Sequence, residues 1–147
     1  MDDEKLIRLT FTPEHHDGNE FLNGAVSLED LRDRGFSVDR QSVTTIETVS
    51  QRISAQTERN PEKRQDVLFS ELECGALRSE IDEVSGVPIF SVDATPAPNN
   101  DGHASIKSYQ ALGNGGLRKI RTILIAHMNK LVRLEDIGFP SANDPTS

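Results

Sequence analysis

The chain has 147 residues, the length of one ordinary domain. No run approaches the roughly 18 apolar residues of a transmembrane helix. The net charge of −8 argues against nucleic acid as a general partner, since an acidic surface repels phosphates. The acidic start of the chain lacks the positive and apolar segments of a secretory signal. We therefore expect a cytoplasmic bacterial protein that has no membrane partner.

The distribution of charge and the number of cysteines limit the kinds of partner and of cysteine site that this protein can have. Residues 1–101 carry 21 acids and 10 bases, whereas residues 102–147 carry 3 acids and 6 bases. The C-terminal third is therefore the one region that favours a partner of negative charge. The single cysteine, Cys74, excludes an internal disulfide and a zinc site of several cysteines.

The N-terminal half contains clear signals for strands and helices. Loose alternation of apolar and polar residues predicts a strand over 5–12. Ser27 and Gly35 mark the two ends of a predicted short helix. A brief strand is predicted over 36–39. Thr44 with Glu47 forms a capping-box pattern, and the apolar spacing behind it predicts a helix over 44–58.

The second half begins with an ambiguous segment. The pattern over 62–73 fits a strand or a helix, and Leu77 with Ile81 favours a helical turn over 74–83. Strands are predicted over 87–93 and 103–109, on either side of a proline-rich loop. The glycines of 113–116 indicate a flexible break.

The longest helix is predicted over 117–134, with an apolar face and bases opposite. We expect the remainder, 135–147, to be disordered. The elements indicate an α+β fold, with a small mixed or antiparallel sheet and about three helices. A compact domain over 1–112 would precede the amphipathic, basic helix.

His103-Ala104-Ser105-Ile106 is the most specific candidate for catalysis. A His-x-Ser-x strand in two-histidine phosphoesterases supplies a general acid or base and a hydroxyl for the phosphate. That mechanism needs a second copy, and neither His15-His16 nor His127 matches it. In the catalytic interpretation of this motif, His103 and Ser105 are the catalytic residues. In the structural interpretation, His103 anchors the proline-rich loop by hydrogen bonds.

Two further motifs are candidates for a metal site and a cofactor site, and neither has the pattern that such a site requires. We therefore expect no metal and no cofactor. The run Glu14-His15-His16-Asp17 contains four possible ligands, but neighbouring side chains on an extended segment point to opposite sides. The glycine run at 113–116 lacks the ending of a phosphate-binding loop and the third glycine of a dinucleotide fingerprint.

The terminal helix is the predicted partner-binding element. One interpretation makes it a docking surface for a protein partner or for a second copy of the chain. The other makes it a core helix whose bases pair with the acidic body of the same protein. The residues assigned to binding are Leu117, Arg118, Lys119, Ile120, Leu124, Met128 and Leu131.

Two segments of the sequence resemble segments of a group of short bacterial proteins. They are Arg34-Gly35-Phe36-Ser37-Val38-Asp39-Arg40 and the proline-rich loop that leads to His103-Ala104-Ser105-Ile106. The resemblance covers roughly residues 5–108 and implies no activity. It implies that the strand at Phe36, the loop and His103 belong to one small domain, to which the last helix is an addition.

The function predicted from the sequence is therefore binding without catalysis. We expect a bacterial accessory or regulatory subunit that acts through protein–protein contacts in a defence or toxin-control assembly. The alternative is a phosphoester- or nucleotide-directed enzyme centred on His103. The docking interpretation also predicts that removal of residues 117–147 leaves a folded domain.

Overall fold

A computed structural model describes residues 2–17, 20–128 and 130–141. Its centre is a six-stranded sheet in which every pair of neighbours is antiparallel, so the α+β prediction is confirmed. The sheet order is β6-β7-β4-β1-β5-β8. Its strands are β1 (Lys5–Pro13), β4 (Phe36–Arg40), β5 (Arg64–Glu73), β6 (Phe90–Ala94), β7 (His103–Ser108) and β8 (Lys130–Val132).

The remaining elements lie around this sheet. A two-stranded ribbon joins β2 (His16–Asp17) to β3 (Glu20–Phe21). Three α-helices follow: α1 (Ile46–Arg59), α2 (Cys74–Arg78) and α3 (Asn114–His127). One π-helical turn covers Asp30–Arg34, and two short 3₁₀ turns cover Asn23–Ala25 and Leu134–Asp136.

Both faces of the sheet are packed, because successive strand residues point to opposite sides. Leu6 and Leu72 point to the side that α2 and α3 cover, and they belong to the larger hydrophobic cluster. Ile7 and Phe69 point to the other side, where they pack with Val49 of α1 in a smaller cluster. The core therefore consists of two layers separated by the sheet.

The last helix is shorter than predicted and starts earlier. The glycine run forms its first turn instead of a flexible break, and the helix ends at His127 instead of residue 134. Ser70 Oγ donates a hydrogen bond to the carbonyl of Met128 at 2.8 Å, and Lys130–Val132 then pairs with β5 as an edge strand. The backbone edge of β5 thus outweighs the helical periodicity of residues 130–134.

The start of the predicted tail and the last helix both contribute side chains to the core. Ile137 is buried, and Phe139 packs edge-on against Phe69 at 6.1 Å between ring centroids. Within 135–141, Ile137 and Phe139 therefore pack in the smaller cluster, and 142–147 lie outside the described residues. Helix α3 contributes Leu117, Ile120, Leu124 and Met128 to the larger cluster, and the division at residue 112 stays a prediction.

Two local predictions need smaller corrections. Thr45, not Thr44, caps α1, since its Oγ1 accepts from the Thr48 N–H at 3.3 Å. The buried Thr44 instead donates to the carbonyl of Arg40 at 2.7 Å. Helix α2 ends at Arg78 instead of residue 83, and β6 starts at Phe90 instead of residue 87.

Gly35 occupies the predicted helix end and aligns β4 with β7. Its φ of +90° disfavours any side chain, and an added Cβ would lie 2.8 Å from Ser105 Cβ. Two residues further along β4, Ser37 sits directly opposite Ser105 in the ladder.

Candidate functional site

The apolar residues assigned to partner binding form part of the core. Leu117, Leu124 and Met128 are 0% exposed, and Ile120 is 6% exposed. Leu131 does not belong to the helix and lies in β8. Leu117, Leu124 and Met128 pack in the protein's own core, so in this structure these three do not offer a surface to another chain.

The bases on the outer side of α3 remain without acidic partners among the described residues. Arg118 and Lys119 are exposed, and Arg121 is half-buried. Within the described part of the chain no ion pair uses any of them, and the arginines in ion pairs lie elsewhere: Arg32, Arg34, Arg52, Arg64 and Arg78. Internal pairing with acidic residues is therefore not observed for Arg118, Lys119 or Arg121 among the described residues, whereas His127 Nε2, at the end of α3, lies 2.8 Å from Glu80 Oε1.

A partly apolar groove lies between α3 and the start of β6, and we call it the α3 groove. Its volume is about 320 Å³. Lys119 and Ile120, two of the residues assigned from the sequence, line it. The apolar part of the lining is completed by half-buried side chains: Pro88, Ile89, Leu112 and Ile123.

A tight turn projects beside this groove, and we call it the Asp82 turn (82–86). Asp82 Oδ1 accepts from the backbone N–H groups of Val84 and Ser85, each at 2.9 Å. These bonds hold the pKa of Asp82 below its ordinary value. Gly86, with φ of +72°, closes the turn by donating its N–H to the Asp82 carbonyl at 2.8 Å.

The turn presents an apolar side chain to solvent. Val84 is 99% exposed, whereas Asp82, two residues before it, lines the α3 groove. Ile81 and Tyr109 are 53% and 55% exposed on adjoining segments. A fixed apolar side chain next to an apolar groove is typical of a protein interaction site.

His103 has hydrogen-bond partners at both ring nitrogens. Its Nδ1 lies 2.9 Å from the carbonyl oxygen and 2.9 Å from Oγ1 of Thr95, the residue that begins the proline-rich loop. Its Nε2 lies 3.0 Å from Ser37 Oγ on β4. His103 thus fastens the loop to β7 and also contacts the neighbouring strand.

Ser105 is not the hydroxyl that contacts His103. It is 6% exposed, and its Oγ lies 2.8 Å from Thr95 Oγ1. The hydroxyl beside Nε2 is that of Ser37, and the enzyme alternative, in which the Ser105 hydroxyl would bind the phosphate, stays a prediction.

The surroundings of His103 form a polar half of one sheet face. Asp39, opposite His103 in the ladder, is 4% exposed and bonds to Arg52 and to Asn100 Nδ2. Lys107 lies on the same side of β7 as His103 and Ser105. Helix α1 packs on the same face through Val49 and reaches the polar half through Arg52, which pairs with Asp39.

Two of the four residues singled out as possible metal ligands have described side chains, and His15 Nε2 lies 3.8 Å from Glu14 Oε1. Glu14 is held by Arg64, and His15 Nδ1 accepts the backbone N–H of Phe11 at 2.9 Å. The side chains of His16 and Asp17 lie outside the described residues. Among the described residues no group of three histidine, cysteine or carboxylate side chains is placed to bind a metal.

Cys74 is fully buried, and burial raises the pKa of its thiol. A raised pKa lowers the thiolate fraction, so Cys74 is poorly suited to act as a nucleophile.

No protein-family model, curated protein or solved structure matches this chain. The resemblance to short bacterial proteins therefore stays a prediction. Among the described residues no helix combines the length and apolar content that crossing a bilayer requires.

Sequence reasoning missed Val84 and Ser37 for different reasons. Asp82 and Gly86 are ordinary turn residues, and they were available as a signal that Val84 lies at an exposed tip. Ser37 had no local signal, because 66 residues separate it from His103 and only the β4–β7 pairing brings them together.

Proposed function

We propose that this protein is an accessory or regulatory subunit that recognises a protein partner. In this role it acts as a binding module and does not catalyse a reaction. The α3 groove and Val84 together form its docking surface. The observation that carries the proposal is the exposure of Val84 on a turn held by three hydrogen bonds.

The energetics of Val84 favour a partner. Burial of one valine side chain contributes about 1.5–3 kcal/mol, and this chain does not use that contribution for its own folding. Because the Asp82 turn is already ordered, little conformational entropy is lost when a partner covers it.

The bases of α3 indicate the chemistry of the partner. Lys119 lines the groove, and Arg118 and Arg121 lie near it without ion pairs among the described residues. A partner segment with aliphatic side chains for the groove and carboxylates for these bases would complement both features. Such complementarity mainly sets the association rate and the specificity. The proposed setting is the bacterial cytoplasm, where a free thiol such as Cys74 stays reduced.

The test is affinity purification of the full-length protein from its native host after cross-linking. Val84→Asp places a charge on the docking surface, and Lys119→Glu reverses its charge. Val43→Asp is the matched control, because Val43 is 42% exposed and lines a different cavity, beside the start of α1.

We expect one partner to accompany the wild type and the Val43 variant and to be lost with the Val84 variant. With purified components, Val84→Ala should raise the Kd about tenfold or more. Undiminished capture by both docking-surface variants would contradict the proposal, and so would the absence of any specific partner. A homodimer dissociated by Val84→Asp would instead identify a second copy of the chain as the partner.

A further inference from the structure

Ser37 and His103 meet on the polar half of the sheet with the geometry of a serine nucleophile and its base. Ser37 Oγ lies 3.0 Å from His103 Nε2, within the range that proton abstraction requires. We propose that this pair gives the protein an acyl-transfer activity towards small polar carboxylic esters, separate from the docking surface.

The protonation pattern of the ring follows from its partners. The carbonyl oxygen of Thr95 can only accept, so His103 Nδ1 carries the proton that bonds to it at 2.9 Å. In the neutral imidazole Nε2 is then an acceptor, and the Ser37 hydroxyl donates to it. Thr95 is thus a positioning residue that fixes both the tautomer and the orientation of the base.

Anchoring of the loop does not account for the contact with Ser37. The bonds from Nδ1 to Thr95 are sufficient to fasten the loop. Strands β4 and β7 are already joined by backbone pairing at Ser37–Ser105 and Asp39–His103. The Nε2 contact therefore adds little to the fold, whereas it directs the proton of Ser37 towards a base.

The surroundings select the class of substrate. Ser37 and His103 are both half-buried, which leaves them within reach of a small molecule. Ser91 and Asp93 on β6 extend the polar face beyond Ser105. Lys107 is the diagonal neighbour of Ser37 across the ladder, a spacing that long side chains can span.

The step conserves atoms and charge. Ser37 Oγ attacks the ester carbonyl carbon while its proton passes to His103 Nε2. The carbon–oxygen bond to the leaving alcohol then breaks, and the alcohol takes the proton from Nε2. Water repeats the sequence on the acyl-serine, with His103 again as base, and releases the acid together with free Ser37.

The test is covalent capture with a fluorophosphonate probe, followed by peptide mass spectrometry of the full chain. The new phosphorus–oxygen bond replaces the phosphorus–fluorine bond, and fluoride leaves while His103 takes the proton. We expect one modification, at Ser37, in the folded wild type and none in urea. Ser37→Ala should abolish it, and His103→Gln should slow it about 100-fold.

A serine outside this face provides the matched control. Ser50→Ala, at an exposed position of α1, should leave the labelling rate of Ser37 unchanged, because Ser50 is not part of the polar face. An unmodified Ser37 in the wild type overturns the proposal whatever the variants do. It is equally overturned if His103→Gln, with its fold verified by circular dichroism, is labelled at the wild-type rate.

Discussion

Polar side chains that the sheet buries are bonded to a neighbouring element. Asp39 binds Arg52 of α1, and Thr10 on β1 donates to the carbonyl of Leu68 on β5 at 2.9 Å. Ser70 Oγ on β5 likewise donates a hydrogen bond to the carbonyl of Met128. A buried hydroxyl or carboxylate without such a partner would cost more than the bond itself contributes. These residues therefore determine where helices and strands meet.

The Glu14–Arg64 pair gives a testable pH dependence at the residue scale. Arg64 Nε and Nη2 donate to the two carboxylate oxygens at 2.6 and 3.2 Å, and this bonding lowers the pKa of Glu14 below its ordinary value of 4.5. The folded state thus binds the proton less readily than the unfolded state. The stabilisation is complete above about pH 4.5 and is lost as the pH falls through the lowered pKa.

We expect Glu14→Gln to lower the free energy of unfolding by about 1 kcal/mol at neutral pH, since the pair is partly exposed. The variant should also lose less stability than the wild type as the pH falls. Urea titrations at several pH values measure both effects. Glu62→Gln is the control, because Glu62 is an exposed carboxylate close to Arg64 in the sequence. An equal effect of both substitutions would contradict the role of the pair.

Side chains also determine where the elements begin and end. Thr45 satisfies the N–H of Thr48 at the start of α1. At the sheet edge, Arg78 Nη2 donates to the carbonyl of Val92 at 2.6 Å and occupies a backbone acceptor of β6. A cation placed on an edge strand hinders its pairing with another chain.

The cap of α1 gives the prediction at the scale of the element. Thr45→Ala should lower the free energy of unfolding by about 1 kcal/mol, because the Thr48 N–H loses its acceptor. Ser50→Ala, at an exposed position inside the same helix, should leave stability unchanged or raise it slightly, since alanine favours helix. Chemical denaturation compares the two. If the Ser50 variant is the less stable, Thr45 is not the cap.

At the scale of the molecule, α3 completes the core that the strands begin. Leu117, Leu124 and Met128 are fully buried in the same cluster as Phe36, Phe90 and Leu77. Strand β8 and the segment after it then cover part of the opposite layer through Ile137. Sheet and terminal helix therefore depend on each other for burial.

This dependence predicts the outcome of truncation. A chain that stops at Gly113 should be unfolded, because it loses the side chains that cover one face of the sheet. Leu124→Ala in the full chain should lower the free energy of unfolding by about 3 kcal/mol. Circular dichroism and light scattering test both. A folded monomer from the truncated chain would show that α3 is an addition and that our account of the core is wrong.

The sequence by itself determined the elements whose periodicity and end signals agree. Alternation over 5–12 and 103–109 predicted β1 and β7, and Gly35 marked the start of β4 correctly. The regular apolar spacing of α1 and α3 predicted both helices. In these segments the local pattern and the tertiary burial require the same conformation.

Tertiary structure decided the rest. Residues 130–134 follow a helical pattern, but the unpaired edge of β5 binds Lys130–Val132 as a strand. The contact between Ser37 and His103, and the position of Asp82 in the lining of the α3 groove, depend on segments far apart in the chain. No local pattern encodes such contacts, because strand order and helix packing bring these residues together.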